Sequence, residues 1–449
     1  MITKLKLKNF KSFSKIQEMK LAPITIIFGP NSSGKSTLIQ SLMMLKQTVL
    51  AQSGNGELIT NGTSINLGNF NTLVHGQRTS TEMEFDIAYN LKQDASEFRH
   101  KYSYDMLFSN KDSRELGFSY SAPNGKGQLS KFSFGSKRSS TDGILFDFTR
   151  KKFSNDTPYY SLNNTDDLVL NLVKRWKIER SDGKRRNDLI NSMNDLFVNA
   201  ASLNLPVPTY EGKITELYEY YNKINNDIQD LFSCIKYLGP LRSSPKRFYS
   251  AETNQYSKGE GKNNLGIELY KAIGYVKGPI NRYLRQFEIP YELDASNIGN
   301  INSGDVISIE LKDLRNNTIV TPSDVGFGIG QVLPIILESL ISKNKILCVE
   351  QPEIHLHPKL QAHLADLFID SVNNNNQWII ETHSEALMLR IQRRIREGKI
   401  SKEDVSVLYV DAGDHGAQIT PLHLDNDGDF TVHWPNGFFE ERLNEQMGL

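Results

Sequence analysis

The sequence predicts an α/β fold with an antiparallel β-subdomain, a helical insertion and a small C-terminal α/β cap, and three observations carry that reading. "APITIIFG", a β-branched run that stops at a glycine, leads into "KSTLIQSLMMLKQTVL", apolar on a helical period, so strand, glycine loop and helix follow in that order. From about residue 80 to 150, runs such as "MEFDIAY", "HKYSYDMLF" and "GILFDF" alternate or carry aromatic side chains between Asn, Ser, Gly and Lys clusters, the pattern of an antiparallel sheet. From about 151 to 240, "NDLINSMNDLFVNAASL" and "ITELYEYYNKINNDIQDLFSCIKYL" turn helical.

A chain of 449 residues exceeds the usual single-domain size, so two to three structural units are expected. The 52 basic and 52 acidic side chains cancel, which removes any overall field for nucleic acid or an anionic membrane and leaves only local patches. Two cysteines, Cys234 and Cys348, argue against a disulfide framework and a Cys-based zinc site and fit a reducing cytoplasm. The opening "MITKLKLKNFKSF" alternates Lys or Asn with apolar residues, as a half-exposed strand does, and lacks the apolar stretch of a signal peptide. No run approaches the length needed to span a bilayer, so a cytoplasmic protein is expected.

In the second helical run Ile214, Leu217, Tyr221, Ile224, Ile228, Leu231 and Ile235 step alternately by three and four, a short heptad seam that suits a hairpin packed on its own domain or a docking arm. "YLGPLRSSPKRFY" follows, concentrating Arg242, Lys246 and Arg247, and then the polar loop "SAETNQYSKGEGKNN". A helix pair in "LGIELYKAIGYVKGPINRYLRQF", a hairpin around "DLRNN", a glycine loop, a helix and an apolar strand complete the order, with the Asn run 373–376 as a loop. "VSVLYVDA", "AQITPLHL" and "WPNGFFEERL" read as the C-terminal cap.

"GPNSSGKS" satisfies G-x-x-x-x-G-K-[ST] in full. Such a loop turns backbone N–H groups of Asn31, Ser32, Ser33, Gly34 and Thr37 toward phosphates, Lys35 reaches the β/γ oxygens and the Ser36 hydroxyl takes a place on Mg²⁺, so ATP and magnesium are the expected cofactors. "KILCVEQPEIHLHP" then supplies the acidic strand that a phosphate loop needs: Glu350 at its tip is the Walker B metal acid, and Gln351 and Glu353 compete to orient the attacking water. "SDVGFGIGQVLPIILESL" places Gly326, Gly328 and Gly330 before Gln331 and an amphipathic helix, a second anion site. "QWIIETHSEAL" is a further apolar strand ending at His383, where a γ-phosphate sensor would stand.

This order of motifs resembles the ABC-type ATPases of the SMC/RecF/OLD-like branch. "KLKLKNFKSF", "GPNSSGKST", "EQPEIHLHP" and "ETHSE" are similar to that branch, and "YLGPLR" with "WPNGFFEE" resembles its bacterial AAA-annotated subgroup with a short C-terminal domain of unknown function. The resemblance implies a P-loop NTPase head of ABC/SMC type. Its first half would be 1–150, the helical insertion and basic loop 151–262, its second half 263–400 and the small C-terminal domain 401–449. It further implies a homo-oligomer, at least a head dimer, sandwiching ATP between Lys35 and Ser36 of one chain and the Gly328–Gln331 signature of the other. His355 and His357 fall in the segment facing the partner head, His383 matches the switch histidine, and Gln77 in "LVHGQ" is the best match for the metal-contacting glutamine. Two departures are visible: "GFGIGQ" lacks the signature serine, and Gln351 replaces the usual general-base glutamate, so that Glu353 serves or turnover is slow.

Family members often control nucleic-acid transactions or anti-phage defence. The expectation is therefore an ATPase acting as sensor and scaffold for a separately encoded effector, a nuclease or toxin, with an ATP-gated DNA-binding clamp as the alternative. The segment after His383, 384–449, is shorter than a fused Toprim nuclease requires, and Asp425, Asp427 and Asp429 in "DNDGD" read as a turn or, less simply, a cation site. Arg390, Arg393, Arg394 and Arg396 share one short helix, which could track DNA phosphates or form a solvated face.

Overall fold

Alternating strands and continuously apolar strands belong in different kinds of sheet, because only the former can leave one face in water. The structure, a computed structural model, describes residues 1–51, 56–90, 113–138, 141–152, 158–165, 198–199, 207–208, 215–240, 242, 246–250, 265–300 and 304–432. In chain order its first elements are β1 (Ile2–Lys8), β2 (Gln17–Lys20), β3 (Ile24–Phe28), α1 (Lys35–Leu50), α2 (Phe70–Leu73), β4 (Met83–Tyr89), β5 (Ser113–Ser121), β6 (Gln128–Arg138), β7 (Thr141–Lys152), β8 (Pro158–Thr165), β9 (Val198–Asn199), β10 (Val207–Pro208) and α3 (Thr215–Ser233). There follow β11 (Ile235–Leu238), β12 (Phe248–Ser250), α4 (Leu265–Gln286), β13 (Tyr291–Asn297), β14 (Val306–Asp313), β15 (Ile319–Val320), α5 (Phe327–Ile341), β16 (Ile346–Glu350), α6 (Pro358–Val372), β17 (Gln377–Glu381), α7 (Glu385–Arg396), β18 (Val405–Asp411) and β19 (Gln418–Leu422).

The chain divides into two compact units, one of 1–21, 40–235 and 412–419, the other of 22–39, 236–411 and 420–449. The first unit holds a nine-stranded sheet in the order β10-β9-β8-β7-β6-β5-β4-β1-β2. Its β1 alternates as its sequence does: Leu5 and Leu7 are buried, while Lys6 and Lys8 sit opposite Asp86 and Glu84 in the antiparallel register and pair with them at 2.9 and 2.7 Å. Helix α3 lies against β5. Ile224, Ile228 and Leu231 of the heptad seam are buried, and Phe232 meets Phe118 edge-on with ring centroids 6.3 Å apart. This described part of the seam is therefore core rather than an exposed arm; Ile214 and the side chains of Leu217 and Tyr221 lie outside the described residues. So do "HKYSYDMLF", "SAETNQYSKGEGKNN" after Ser250, "WPNGFFEE" and all of "NDLINSMNDLFVNAASL" except Val198 and Asn199, which are strand rather than helix.

In the second unit a six-stranded sheet runs β11-β16-β17-β3-β18-β19, with β16, β17, β3 and β18 mutually parallel. Every residue of β3, β16 and β17 is buried, as expected of parallel strands covered on both faces. "VSVLYVD", expected in a C-terminal cap, is β18 and pairs with β3 inside this sheet. The expected helix pair is one helix, α4, running through Pro279: its apolar stripe of Leu269, Ala272, Val276, Ile280 and Leu284 stays on one buried face across the proline, and that burial outweighs the lost N–H. The hairpin around "DLRNN" is present as β14 and β15. Asn376, at the end of the Asn run, is fully buried and more than loop filler: its amide donates to Ser342 O (2.8 Å) and Ser371 Oγ (3.0 Å) and accepts from Lys345 N (3.1 Å), tying together the segments that enter β16 and β17. Trp378 of β17 packs on Phe368 of α6 at 4.6 Å between ring centroids. Among the described residues no helix is long and apolar enough to cross a membrane.

The first unit contains a buried ion pair, Arg114 of β5 to Asp227 of α3 at 2.5 Å. Removing one partner strands the other charge in the core. Asp227→Ala should cost about 3–5 kcal/mol in urea denaturation, whereas Arg114→Met with Asp227→Leu should lie near or above the wild type; equal losses in both variants would contradict the account.

Candidate phosphate and metal site

The C-terminal ends of β16, β17 and β3 lie side by side and carry, respectively, Glu350, Glu381 and the glycine loop. The parallel register sets Glu350 beside Glu381 and Glu381 beside Ile27. In open α/β sheets this edge is where ligands bind, because the strand interiors are apolar and the first polar groups appear at the tips.

Gly29 leaves β3 at φ +148°, and a Cβ built there would lie 2.1 Å from the Val410 carbonyl oxygen of β18. Only glycine fits that approach. Ser32 and Gly34 also have positive φ, 63° and 107°, so the loop curls back to the start of α1. The first N–H groups of a helix have no partners within it, and the loop surrounds them. Lys35 is buried, and its Nζ donates to the carbonyls of Gly29 (2.9 Å) and Pro30 (2.6 Å). Burial pulls its pKa below the ordinary lysine range, and Glu381 and Glu353 oppose that shift. Ser36 Oγ donates to Glu381 Oε1 at 3.0 Å. Asn31 and Ser32 are exposed, Thr37 is buried, and the buried Ser33 Oγ has no hydrogen-bond partner.

Each acid at the strand tips has its own support. Glu350 Oε1 accepts from Tyr237 Oη (3.1 Å), and its carbonyl accepts from Arg242 Nη2 (3.0 Å). Burial lowers the Arg242 guanidinium to about 10, with Glu353, Tyr237 and Glu350 acting in the opposite direction. Gln351 sits at φ +45°, its N–H donating to Glu381 O at 2.7 Å, so the chain turns sharply off the strand there. Glu353 accepts from Thr382 Oγ1 (2.8 Å) and from His383 N (2.7 Å) through its two oxygens. Burial pushes its carboxyl up, and these bonds oppose the shift. Burial pushes Glu381 up as well, opposed by Ser36 and Lys35. The half-buried His383 ring is pulled down by burial and by Lys35, which favours neutral imidazole.

The second glycine loop adjoins this group. Gly326 caps α5, and a Cβ on Gly328 would come 2.7 Å from the carbonyl of His355, so the loop packs directly on the segment after the acidic strand. Gly330 is buried in the first turn. Gln331 is fully buried, its amide accepting from Arg242 N (3.2 Å) and donating to Arg242 O (3.3 Å). Its side chain is thus spent within the chain. His355 and His357 are exposed, and His357 Nδ1 accepts from Lys359 N at the start of α6.

The other expected residues lie on other elements. Gln77 is exposed in a short 3-10 turn of the first unit. The arginines of α7 are paired with acids: Arg390 and Arg394 with Asp366 (2.7 and 2.6 Å), Arg393 with Glu397 (2.6 Å) and Arg396 with Asp429 (2.9 Å). Asp425 Oδ1 accepts from the N–H groups of Asp427 and Asp429, the geometry of a turn. Sequence reasoning gives no site role to Glu381 or Tyr237 and reads Arg242 only as part of a basic loop. The first had a signal, an acid ending an apolar strand as Glu350 does; the other two lie in "YLGPLR" but touch partners more than a hundred positions away.

Residues 1–388 match the family model described as an AAA ATPase domain. The chain belongs to that family. Residues 400–449 of this AAA ATPase match a second model, a protein of unknown function (DUF3696). No curated protein matches the sequence. Solved structures similar to this AAA ATPase include an SmcHead bound to the C-winged helix domain of ScpA (13% identity, 94% of this chain and 98% of that one, TM-score 0.44). The SMC head domain from Thermotoga maritima aligns at 11% identity, 94% and 99% coverage and TM-score 0.38. An Smc head domain with an extended coiled coil, bound to the C-terminal domain of ScpA derived from Pyrococcus furiosus, aligns at 14% identity, 94% and 96% coverage and TM-score 0.42.

Among the described residues no three His, Cys, Asp or Glu side chains form a metal cage. A magnesium site needs none, since Mg²⁺ takes one or two carboxylates and completes its shell with phosphate and water. The Ser36 hydroxyl and the Glu381 carboxylate meet at the mouth of the loop, Glu350 stands on the next strand tip, and Glu381 Oε2 is buried without a hydrogen-bond partner, so the donor set fits that cation. Gly29→Ala should cost about 2–4 kcal/mol in chemical denaturation, through a forced positive φ and the clash with Val410; a change below about 0.5 kcal/mol would show that the loop yields freely.

Proposed function

We propose that this AAA ATPase binds ATP with Mg²⁺ at the Gly29–Thr37 loop and hydrolyses it slowly, and that ATP joins two heads into a scaffold for a separately encoded effector, a nuclease or toxin, in bacterial anti-phage defence. The observation that carries the nucleotide reading is the clasp of the buried Lys35 ammonium on the Gly29 and Pro30 carbonyls beside Ser36 and Glu381. An ammonium so placed can exchange carbonyl oxygens for phosphate oxygens with little motion. Magnesium, when bound, supplies charge neutralisation of the transferred phosphoryl group.

The chain's own residues set the pace. Glu353 braces the Thr382–His383 turn with both oxygens, and Gln351 has no useful basicity, so water at this site would be oriented more than deprotonated. The effector and defence parts of the proposal rest on the resemblance of "YLGPLR", "ETHSE" and the C-terminal segment to the SMC/OLD-like branch. The DNA-clamp alternative loses support because the α7 arginines already neutralise acids.

Lys35→Ala should weaken ATP binding by about two orders of magnitude in calorimetry. Gln351→Glu should raise steady-state phosphate release by about tenfold or more if the amide is the brake; unchanged turnover would remove the amide from the account. The wild-type chain, mixed with ATP and Mg²⁺, should elute as a dimer or larger species in size-exclusion chromatography, and a monomer under those conditions would contradict ATP-controlled association.

A further inference from the structure

The acid bonded to the phosphate loop is not on the strand that the motifs single out. Ser36 Oγ donates to Glu381 Oε1 at 3.0 Å, whereas Glu350 Oε1 accepts from Tyr237. Glu381 is 4% exposed, and its second oxygen, Oε2, has no hydrogen-bond partner. A buried carboxylate oxygen without a donor is costly, so something charged is expected to complete it.

β17 lies between β16 and β3, and Glu381 is register-matched with Glu350 on one side and with Ile27 on the other. Neighbouring strands are about 4.8 Å apart and register-matched residues face the same way, so two carboxylates rise together from adjacent strand tips. Glu353 also bears on Glu381 with like charge, so the acids here repel. Lys35 relieves this only in part, because two of its N–H bonds go to the Gly29 and Pro30 carbonyls. A divalent cation held between the acids and the Ser36 hydroxyl removes both the repulsion and the orphaned oxygen.

We infer that Glu381 is a metal-site carboxylate of this chain, holding the Ser36 hydroxyl through Oε1 and offering Oε2 to the divalent cation that accompanies the nucleotide. The inference rests on the nucleotide reading of the loop and adds a residue to it. Glu350 then shares the cation's charge with a second acid, and one carboxylate of the pair alone cannot set metal affinity.

The test is Mn²⁺ titration followed by electron paramagnetic resonance in the presence of ADP, alongside binding of a fluorescent ATP analogue in Mg²⁺ and in EDTA, on the full chain. Glu381→Gln should lower Mn²⁺ affinity in the nucleotide complex by about tenfold or more without weakening nucleotide binding in EDTA. Unaltered Mn²⁺ affinity, or an equal loss in EDTA, overturns the assignment, the latter by marking a merely structural role. Should Glu381→Gln not fold, Glu381→Asp keeps the charge but withdraws the oxygens, and the same loss confined to the metal-dependent measurement is expected; its absence overturns the assignment equally. No nucleotide binding by the wild type in either condition overturns the phosphate-loop reading itself, and the metal assignment with it. Wild-type binding lost in Lys35→Ala, with metal affinity intact in Glu381→Gln, overturns the assignment alone.

Discussion

A single buried ammonium organises the second unit. Taking Lys35 out of water costs several kcal/mol, and the structure recovers that through two carbonyls of the loop and through the nearby acids Glu381 and Glu353. The carbonyls can reach Nζ only because the chain reverses at Gly29, and that reversal in turn requires the close approach to Val410 of the neighbouring strand. Loop shape and glycine choice are thus tied to one electrostatic demand. In this account a phosphate replaces the carbonyls and inherits a cation already desolvated and positioned.

The acids of this edge are each held by a different partner. Tyr237 holds Glu350, Thr382 and His383 hold Glu353, and Ser36 holds Glu381. Arg242 adds the second positive charge and connects two parts of the site, because Gln331 of the glycine-loop helix grips its main chain while its guanidinium reaches the Glu350 carbonyl. Any shift of α5 must therefore be felt at the tip of β16. The three carboxylates outnumber the two cations among these residues, leaving an excess of negative charge that a divalent ion would reverse.

Local signals made most of this legible in the sequence. The glycine loop, the apolar strand ending in Glu350 and the alternation of β1 depend on neighbours within a few residues, and each stands where its pattern places it, while the strand expected to end at His383 stops at Glu381. What the sequence hid depends on pairing at long range. Tyr237 and Arg242 gain meaning only through Glu350, and Gln331 reads as a surface signature until Arg242 is seen to occupy it. Glu381 was overshadowed by the histidine two residues later. The expected helix pair is one helix because the continuous buried stripe of α4 runs past Pro279, and the acids that meet the arginines of α7 include Asp366 and Asp429, which belong to other segments.

The most direct measurement is a crystal structure of the protein with magnesium and a non-hydrolysable ATP analogue. The account predicts the β- and γ-phosphates enclosed by the Gly29–Thr37 loop, with Lys35 Nζ moved from the Gly29 and Pro30 carbonyls onto phosphate oxygens and the cation at Ser36. A nucleotide bound elsewhere, or one bound at the loop while Lys35 remains on both carbonyls, would contradict it.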